Sequence, residues 1–184
     1  MSEEKDSNEQ EQNSELQKLL TNKKQIPSEF IDKITDKVYL GDKDGATDFD
    51  YFKQEKISNV ISVINKPFEY NEEDKINHIT INVCDLDEVN IIKYFKECIE
   101  FIEKADKVFV HCLCGVSRSA TIVIAYLMWK AHCGYYDAYF FVKNRRCFIA
   151  PNDGFVHQLK IFENLLKSNE YDLNKIDFNS ISIN

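Results

Sequence analysis

The chain has 184 residues, a formal net charge of −8 at pH 7, and 43% hydrophobic against 29% charged residues. This length suits one domain with a full core and is too short for two. The acidic balance and the absence of a basic run disfavour nonspecific binding to nucleic acid or to anionic membranes. No stretch approaches the roughly 20 apolar residues of a membrane span, so we expect a soluble protein.

An acidic segment, residues 1–27, precedes the predicted folded domain. Residues 1–15 carry six acidic side chains against one lysine. Such a composition cannot bury enough apolar surface to fold, which predicts a disordered N-terminal tail. Within it, Ser14 and Gln17 resemble a capping box and indicate a short helix over residues 15–24. The tail either solvates the domain or docks a basic partner.

Six cysteines and four histidines raise the questions of disulfide bonding and metal binding. We recognise no signal peptide, and a domain of this size has an adequate core without disulfides. We therefore expect reduced thiols and a cytoplasmic location, with the nucleus as a further compartment. No CxxC pair occurs and the histidines are scattered, so we predict neither a bound metal nor a cofactor.

Apolar periodicity predicts strands alternating with helices between residues 28 and 167. The predicted strands are 34–40, 59–64, 78–83 and 108–110, and the predicted helices are 48–56, 90–104, 119–129, 137–144 and 154–166. This order predicts an α/β fold in which a central, mostly parallel sheet of about five strands is flanked by helices, with ligands at the carboxyl ends of the strands. Residues 168–184 show no period and are predicted as a C-terminal tail.

The loop 112–118 lies between the last predicted strand and the helix that follows it. A loop leading into a helix N-terminus leaves backbone N–H groups unpaired, and these can converge on an anion such as phosphate. Arg118 adds a planar guanidinium that binds two oxygens at once, and Gly115 permits a backbone conformation that a side chain would block. The same positive field favours the thiolate of Cys112. The loop therefore predicts a nucleophile within a phosphate site.

A cysteine that accepts phosphate needs a proton donor for the departing oxygen, supplied by another segment. Asp85 follows directly on strand 78–83, and neighbouring parallel strands bring such ends to the same edge of a sheet as Cys112. Asp87 and Glu88 lie on the same loop. Spacing alone favours Asp85, with Asp87 and a merely solvated acidic loop as alternatives.

Several motifs resemble the dual-specificity branch of the cysteine-dependent protein tyrosine phosphatases. The signature H-C-x5-R of that superfamily stands at His111 to Arg118. Four further motifs match in order and spacing: S-R-S-A-T at 117–121, A-Y-L-M at 125–128, R-R at 145–146 and P-N-D-G-F at 151–155. The resemblance extends over residues 28–167, which we predict to be the catalytic domain. It implies a protein tyrosine phosphatase-like fold with a strand, phosphate loop and helix at the active site.

The resemblance also implies roles for individual residues. Cys112 would be the nucleophile and Arg118 the phosphate clamp, and a match of the general-acid loop raises Asp85 above Asp87 as the acid and base. The residues that would bind phosphate are Leu113, Cys114, Gly115, Val116, Ser117 and Arg118. The resemblance implies no metal ion in this chemistry.

Three more residues would support the site in this family. Ser119 would assist the sulfur as a leaving group, and His111 would steady the loop by hydrogen bonding. Asn152 would buttress the phosphate loop, although its position also suits a plain helix cap. Cys84 and Cys114 are candidates for a reversible disulfide with Cys112 under oxidation.

The rim of the predicted pocket is uncharged, because the variable loop positions are Leu, Cys, Val and Ser. Phosphoinositide phosphatases of the superfamily typically carry basic residues there, so a phosphorylated protein is the expected substrate. The short chain has no room for a kinase-docking domain or an added recognition loop. This indicates the small atypical type with a shallow pocket for phosphotyrosine, phosphoserine and phosphothreonine, in an oligomeric state that the sequence leaves open.

Two other functions remain open at this point. One is a phosphoprotein-binding pseudophosphatase, which would keep the loop without turnover; the joint presence of Cys112, Arg118 and Asp85 argues against it. The other is a Cys-loop phosphatase acting on a non-protein substrate, which leaves the motifs at 117–121 and 151–155 unexplained.

Overall fold

Among the residues that the computed structural model describes, 30–66 and 68–183, five strands form one sheet. They are β1 (Ile31–Lys33), β2 (Val38–Gly41), β3 (Asn59–Val63), β4 (Asn77–Ile81) and β5 (Val108–His111). Their spatial order is β1-β2-β5-β3-β4. β1 pairs antiparallel with β2, and the other pairings are parallel. The predicted α/β fold with a mostly parallel sheet is confirmed.

Helices cover both faces of the sheet. They are α1 (Phe49–Glu55), α2 (Phe95–Lys104), α3 (Arg118–Lys130), α4 (Tyr135–Lys143) and α5 (Asp153–Ser168). The first eleven residues of α3 are all buried, because this helix packs between β5 and the helices α2, α4 and α5. The opposite face holds a smaller apolar cluster that includes Phe52 of α1. The five predicted helices are confirmed with shifted ends, and α3 begins at Arg118 directly behind the phosphate loop.

The prediction of one strand over residues 34–40 is wrong, because the chain turns there. The Thr35 hydroxyl accepts the backbone N–H groups of Lys37 and Val38 at 3.2 and 2.9 Å. The Val38 carbonyl in turn accepts the N–H of Ile34 at 2.9 Å. A threonine side chain that bonds nearby backbone competes with a continuous strand. The result is a hairpin of β1 and β2, which adds an antiparallel edge strand.

The prediction of a tail over residues 168–184 also needs correction. Leu173, Ile176 and Phe178 are each no more than 7% exposed and pack into the main core. The Phe178 ring lies 6.0 Å from that of Phe162 on α5. An irregular segment can bury isolated apolar side chains without any period, so periodicity gave no signal. The predicted N-terminal tail and its helix over residues 15–24 lie outside the described residues.

Candidate active site

Cys112 lies where β5 passes into the loop before α3. Its sulfur accepts a hydrogen bond from the Gly115 backbone N–H at 3.2 Å and another from the Ser119 hydroxyl at 3.2 Å. The side chain is 1% exposed, at the floor of the loop. Both donors hold the sulfur in place at the N-terminus of α3. The structure thus brings together the predicted nucleophile and Ser119.

The loop conformation depends on Gly115 and on a buried arginine. Gly115 has φ +65°, and a Cβ there would lie 2.6 Å from the Gly41 carbonyl oxygen. Arg146 donates from Nε to the Gly115 carbonyl at 2.9 Å and pairs through Nη1 with Asp32 at 2.7 Å. Arg146 is fully buried and Asp32 nearly so. Sequence reasoning missed Asp32, which braces the loop from β1 through this ion pair.

Arg146→Met is expected to lower the free energy of unfolding by about 3–5 kcal/mol, because it removes the guanidinium that pairs with the buried Asp32 carboxylate. Urea unfolding measures the change. Adding Asp32→Asn to Arg146→Met should restore part of the loss. Lys167→Met is the matched control, since Lys167 makes an exposed ion pair with Glu163 on α5, and its effect should be about 0.5 kcal/mol or less. Similar losses of unfolding free energy in Arg146→Met and Lys167→Met would contradict a bracing role for Arg146.

Asp85 reaches the loop from the segment after β4. Its Oδ1 accepts hydrogen bonds from the Ser117 hydroxyl at 2.6 Å and from Asn152 Nδ2 at 2.9 Å. Its Oδ2 lies 3.4 Å from Arg118 Nε. Asp87 is exposed and, among the described residues, makes no side-chain hydrogen bond or ion pair. The geometry therefore favours Asp85 over Asp87 as the proton donor.

Arg118 begins α3 and turns its guanidinium back under the loop. The residue is 6% exposed, and Nη1 donates to the Val83 carbonyl at 3.3 Å. Its Nε is buried and, within the described part of the chain, has no hydrogen-bond acceptor of good geometry. The guanidinium thus keeps donors for phosphate oxygens while its position is set by the end of the β4 segment.

Asn152 links three parts of the site. Its Oδ1 accepts the Phe155 N–H at 2.8 Å, so it is the N-cap of α5. Its own N–H donates to the Ser117 hydroxyl at 3.2 Å, and its amide group also contacts Asp85. Asn152 therefore caps α5 and also contacts the phosphate loop at Ser117, and its buttressing role stays a prediction. A side chain at Gly154 would collide with the Asp87 backbone, so this glycine allows the Asp85 segment to pack closely on α5.

His111 supports the loop from beneath. Its Nδ1 lies 3.3 Å from the Cys112 carbonyl, and its Nε2 is hydrogen-bonded to the Ser62 hydroxyl. That hydroxyl also lies 2.8 Å from His78 Nε2. The Cys112 carbonyl can only accept, so a neutral His111 donates from Nδ1 and accepts at Nε2 from the Ser62 hydroxyl. Ser62 and His78 carried no sequence signal for this role, because they lie on other strands.

We expect the folded state to lose stability as the pH falls, because of His111. Burial lowers the pKa of His111 to about 4, against about 6.5 for an unfolded histidine. Between these values the unfolded chain binds a proton that the folded chain does not, so stability is full above about pH 6.5 and declines toward about pH 4. We expect His111 to account for about 2 kcal/mol of lost stability between about pH 7 and about pH 5.

Urea unfolding at these two pH values, in the wild type and in His111→Gln, measures how much His111 contributes to the change of the free energy of unfolding with pH. The pH dependence should be smaller in His111→Gln by that amount. The control is His157→Gln, because His157 is exposed on α5, and it should match the wild type. An unchanged pH dependence in His111→Gln would contradict a neutral buried imidazole.

The other loop residues form the rim. Leu113 and Cys114 are exposed and Val116 is half-buried, and all six cysteines are free thiols. The Cys84 sulfur lies 3.5 Å from Asn65 Nδ2. A disulfide of Cys84 or Cys114 with Cys112 therefore stays a prediction. Among the described residues, no group of three or more His, Cys, Asp and Glu side chains could hold a metal ion, and no helix is long and apolar enough to cross a membrane.

A thiol, a guanidinium and a carboxylate around one anion-binding loop define a cysteine-based phosphate site. A family model described as dual specificity phosphatase, catalytic domain, matches residues 38–165. The chain belongs to this family, within the protein tyrosine phosphatase superfamily. The predicted resemblance is thereby confirmed.

Individual relatives agree with this assignment. The chain is 39% identical over 135 residues to MAP kinase phosphatase with leucine-rich repeats protein 1 of Dictyostelium discoideum, covering 72% of this chain and 16% of that protein. It is 37% identical over 141 residues to dual specificity protein phosphatase 19 of Mus musculus, covering 72% and 62%. The chain thus spans less than two thirds of these two relatives. The crystal structure of DUSP15 is similar at a TM-score of 0.73 and 34% identity, covering 78% of this chain and 93% of that one.

Proposed function

We propose that this protein is a phosphatase that hydrolyses phosphotyrosine and phosphoserine or phosphothreonine on proteins through a cysteinyl-phosphate intermediate. The observation that carries the proposal is the position of Asp85. Its carboxylate lies 3.4 Å from Arg118 and 2.6 Å from Ser117, above the loop whose sulfur is Cys112. Nucleophile, phosphate clamp and proton donor are therefore in one place, as the chemistry requires.

In the first step, the Cys112 thiolate attacks phosphorus in line and an S–P bond forms. Arg118 and the loop amides hold the three equatorial oxygens while charge shifts among them. The bond from phosphorus to the substrate oxygen breaks, and Asp85 transfers its proton to that oxygen. The products are the dephosphorylated protein and phosphocysteine.

In the second step, water hydrolyses the phosphocysteine. Asp85, now a carboxylate, accepts a proton from the water, whose oxygen attacks phosphorus. The S–P bond breaks and the electron pair returns to the Cys112 sulfur. The Ser119 hydroxyl, 3.2 Å from this sulfur, stabilises the departing thiolate by its hydrogen bond. Inorganic phosphate leaves and the enzyme returns to its starting state.

The rim of the site supports a phosphorylated protein as substrate. Leu113 is 50% exposed and Cys114 is exposed beside it, so the entrance carries no charge at the loop itself. From the loop residues themselves, a polyanionic substrate such as a phosphoinositide would gain no cation beyond Arg118. An open entrance whose loop residues are uncharged accepts either an aromatic or an aliphatic phosphoester.

The test is hydrolysis of para-nitrophenyl phosphate, a phosphotyrosine peptide and a phosphothreonine peptide, each in the presence of EDTA. We expect turnover of all three and competitive inhibition by vanadate, an analogue of the pentavalent phosphorus centre. A protein that binds the peptides but hydrolyses none of the three would instead be a pseudophosphatase. Hydrolysis of the aryl phosphate alone would point to a non-protein substrate.

We further propose that the protein works in a reducing compartment, the cytoplasm or the nucleus. The free state of all six cysteines supports this, since Cys112 must be a thiolate to act. Microscopy of the tagged full chain tests the location.

A further inference from the structure

A cavity of about 340 Å³ opens directly beside the phosphate loop. It is lined by Lys43, Asp44, Thr47, Ile64, Asn65, Lys66, Phe68 and Leu113. These residues come from the segments that follow β2, β3 and β5, three neighbouring strands of the sheet. The cavity therefore lies at the carboxyl edge of the sheet, where ligands of such folds bind. Its volume falls within the range of roughly 300–1,000 Å³ that is typical of ligand pockets.

The cavity is continuous with the catalytic loop through Leu113. This residue follows the nucleophile directly, and its carbonyl accepts the Lys43 N–H at 3.4 Å, which ties the β2 segment to the loop. Adjacent Cα atoms are about 3.8 Å apart, and an extended peptide rises about 3.3 Å per residue. A substrate whose phosphate occupies the loop therefore has the side chain one or two residues away within reach of this cavity.

The lining has an apolar floor and a basic rim. Leu113 is 50% exposed although it is large and apolar, a property that marks binding surfaces when neighbours share it. Phe68 and the buried Ile64 extend the apolar surface inward. Lys66 and Lys43 are exposed at the edge, and the Lys43 ammonium lies 3.9 Å from the Asp44 carboxylate, the single carboxylate of the lining. The chemistry suits an apolar side chain flanked by an acidic one.

We propose that this cavity is a specificity subsite of the phosphatase: it receives an apolar side chain one or two residues from the phosphorylated residue of the substrate, while Lys43 and Lys66 attract an acidic residue beside it. The proposal rests on the function proposed above and adds a sequence preference to it. The energy of burying the apolar side chain lowers KM and does not act on the reacting atoms.

The test is a set of phosphotyrosine peptides with alanine at all flanking positions, in which a single leucine is moved from two residues before to two residues after the phosphotyrosine. At one position leucine should raise kcat/KM about tenfold, chiefly through KM. Thr47→Trp, which fills the cavity from its exposed edge, should remove this gain and leave hydrolysis of para-nitrophenyl phosphate unchanged. Equal kcat/KM for all peptides, with turnover intact, would overturn the subsite and leave the proposed phosphatase function standing.

The basic rim is tested with charge reversal. For the leucine peptide with an adjacent glutamate, Lys66→Glu should lower kcat/KM about fivefold. Lys53→Glu is the matched control, because Lys53 is exposed on α1 and does not line the cavity. Equal effects of the two reversals would remove the rim from the proposal.

A binding measurement separates this proposal from the proposed function. Fluorescence anisotropy of the same peptides on Cys112→Ser gives Kd without turnover, and the leucine preference should appear there too. If the wild type hydrolyses nothing while Cys112→Ser keeps the preference, the subsite stands and the phosphatase function fails. If Thr47→Trp lowers hydrolysis of para-nitrophenyl phosphate as much as hydrolysis of the peptides, the substitution acts on the phosphate loop itself. The subsite is then overturned.

Discussion

Replacing Cys112 with serine is expected to lower the turnover of every phosphoester at least about 10⁴-fold, because a hydroxyl is far less nucleophilic than a thiolate at neutral pH. The loop itself should persist. Gly115 and Ser119 can donate to a serine oxygen as they do to the sulfur, and the guanidinium of Arg118 is untouched. Phosphopeptide binding should therefore survive the loss of turnover.

Two measurements check this expectation together. Release of inorganic phosphate reports turnover, and fluorescence anisotropy of a labelled phosphopeptide reports binding that vanadate should displace. Cys147→Ser is the control, because Cys147 is an exposed thiol outside the loop, and its activity should equal that of the wild type. Appreciable turnover in Cys112→Ser would mean that another group is the nucleophile.

Replacing Asp85 with asparagine should lower turnover about 10²–10⁴-fold for a substrate with a poor leaving group, and much less for a good one. An alkyl alcohol needs the proton that Asp85 supplies, whereas a nitrophenolate leaves nearly unaided. Asparagine keeps an oxygen that can accept from Ser117 and Asn152. The substitution thus removes the proton while the segment stays in place.

The measurement is kcat for a series of aryl and alkyl phosphates, plotted against the pKa of the leaving alcohol. Asp85→Asn should steepen this dependence, and Asp87→Asn should leave it unchanged, since the Asp87 side chain is exposed and, among the described residues, makes no hydrogen bond or ion pair with the loop. Equal losses for good and poor leaving groups in Asp85→Asn, with a steep dependence in Asp87→Asn, would move the acid to Asp87.

The order of strand, loop and helix around the segment from His111 to Ser119 was predictable, because its pattern is local. An apolar strand, a glycine-containing loop and a buried helix follow one another, and the functional side chains sit at the junctions. Asp85 was predictable for a different reason. Parallel strands end at one edge of a sheet, so a carboxylate after β4 was expected at the same edge as the loop after β5, although β3 lies between these two strands. The turn at Thr35 was not predictable, because the apolar pattern of the surrounding residues indicated a continuous strand, whereas the Thr35 hydroxyl bonds the nearby backbone.

The sequence by itself predicted Cys112, Arg118 and the α/β class, since each follows from residues close in the chain, and the resemblance to the phosphatase family favoured Asp85 over Asp87. Only the tertiary structure decided which residues support the phosphate loop and which residues line the cavity beside it. Asp32 and Arg146 are 114 positions apart, Ser62 reaches His111 from the neighbouring strand, and the cavity beside Leu113 is built from three separate segments. These contacts depend on the strand order β1-β2-β5-β3-β4, and periodicity carries no information about which strands become neighbours.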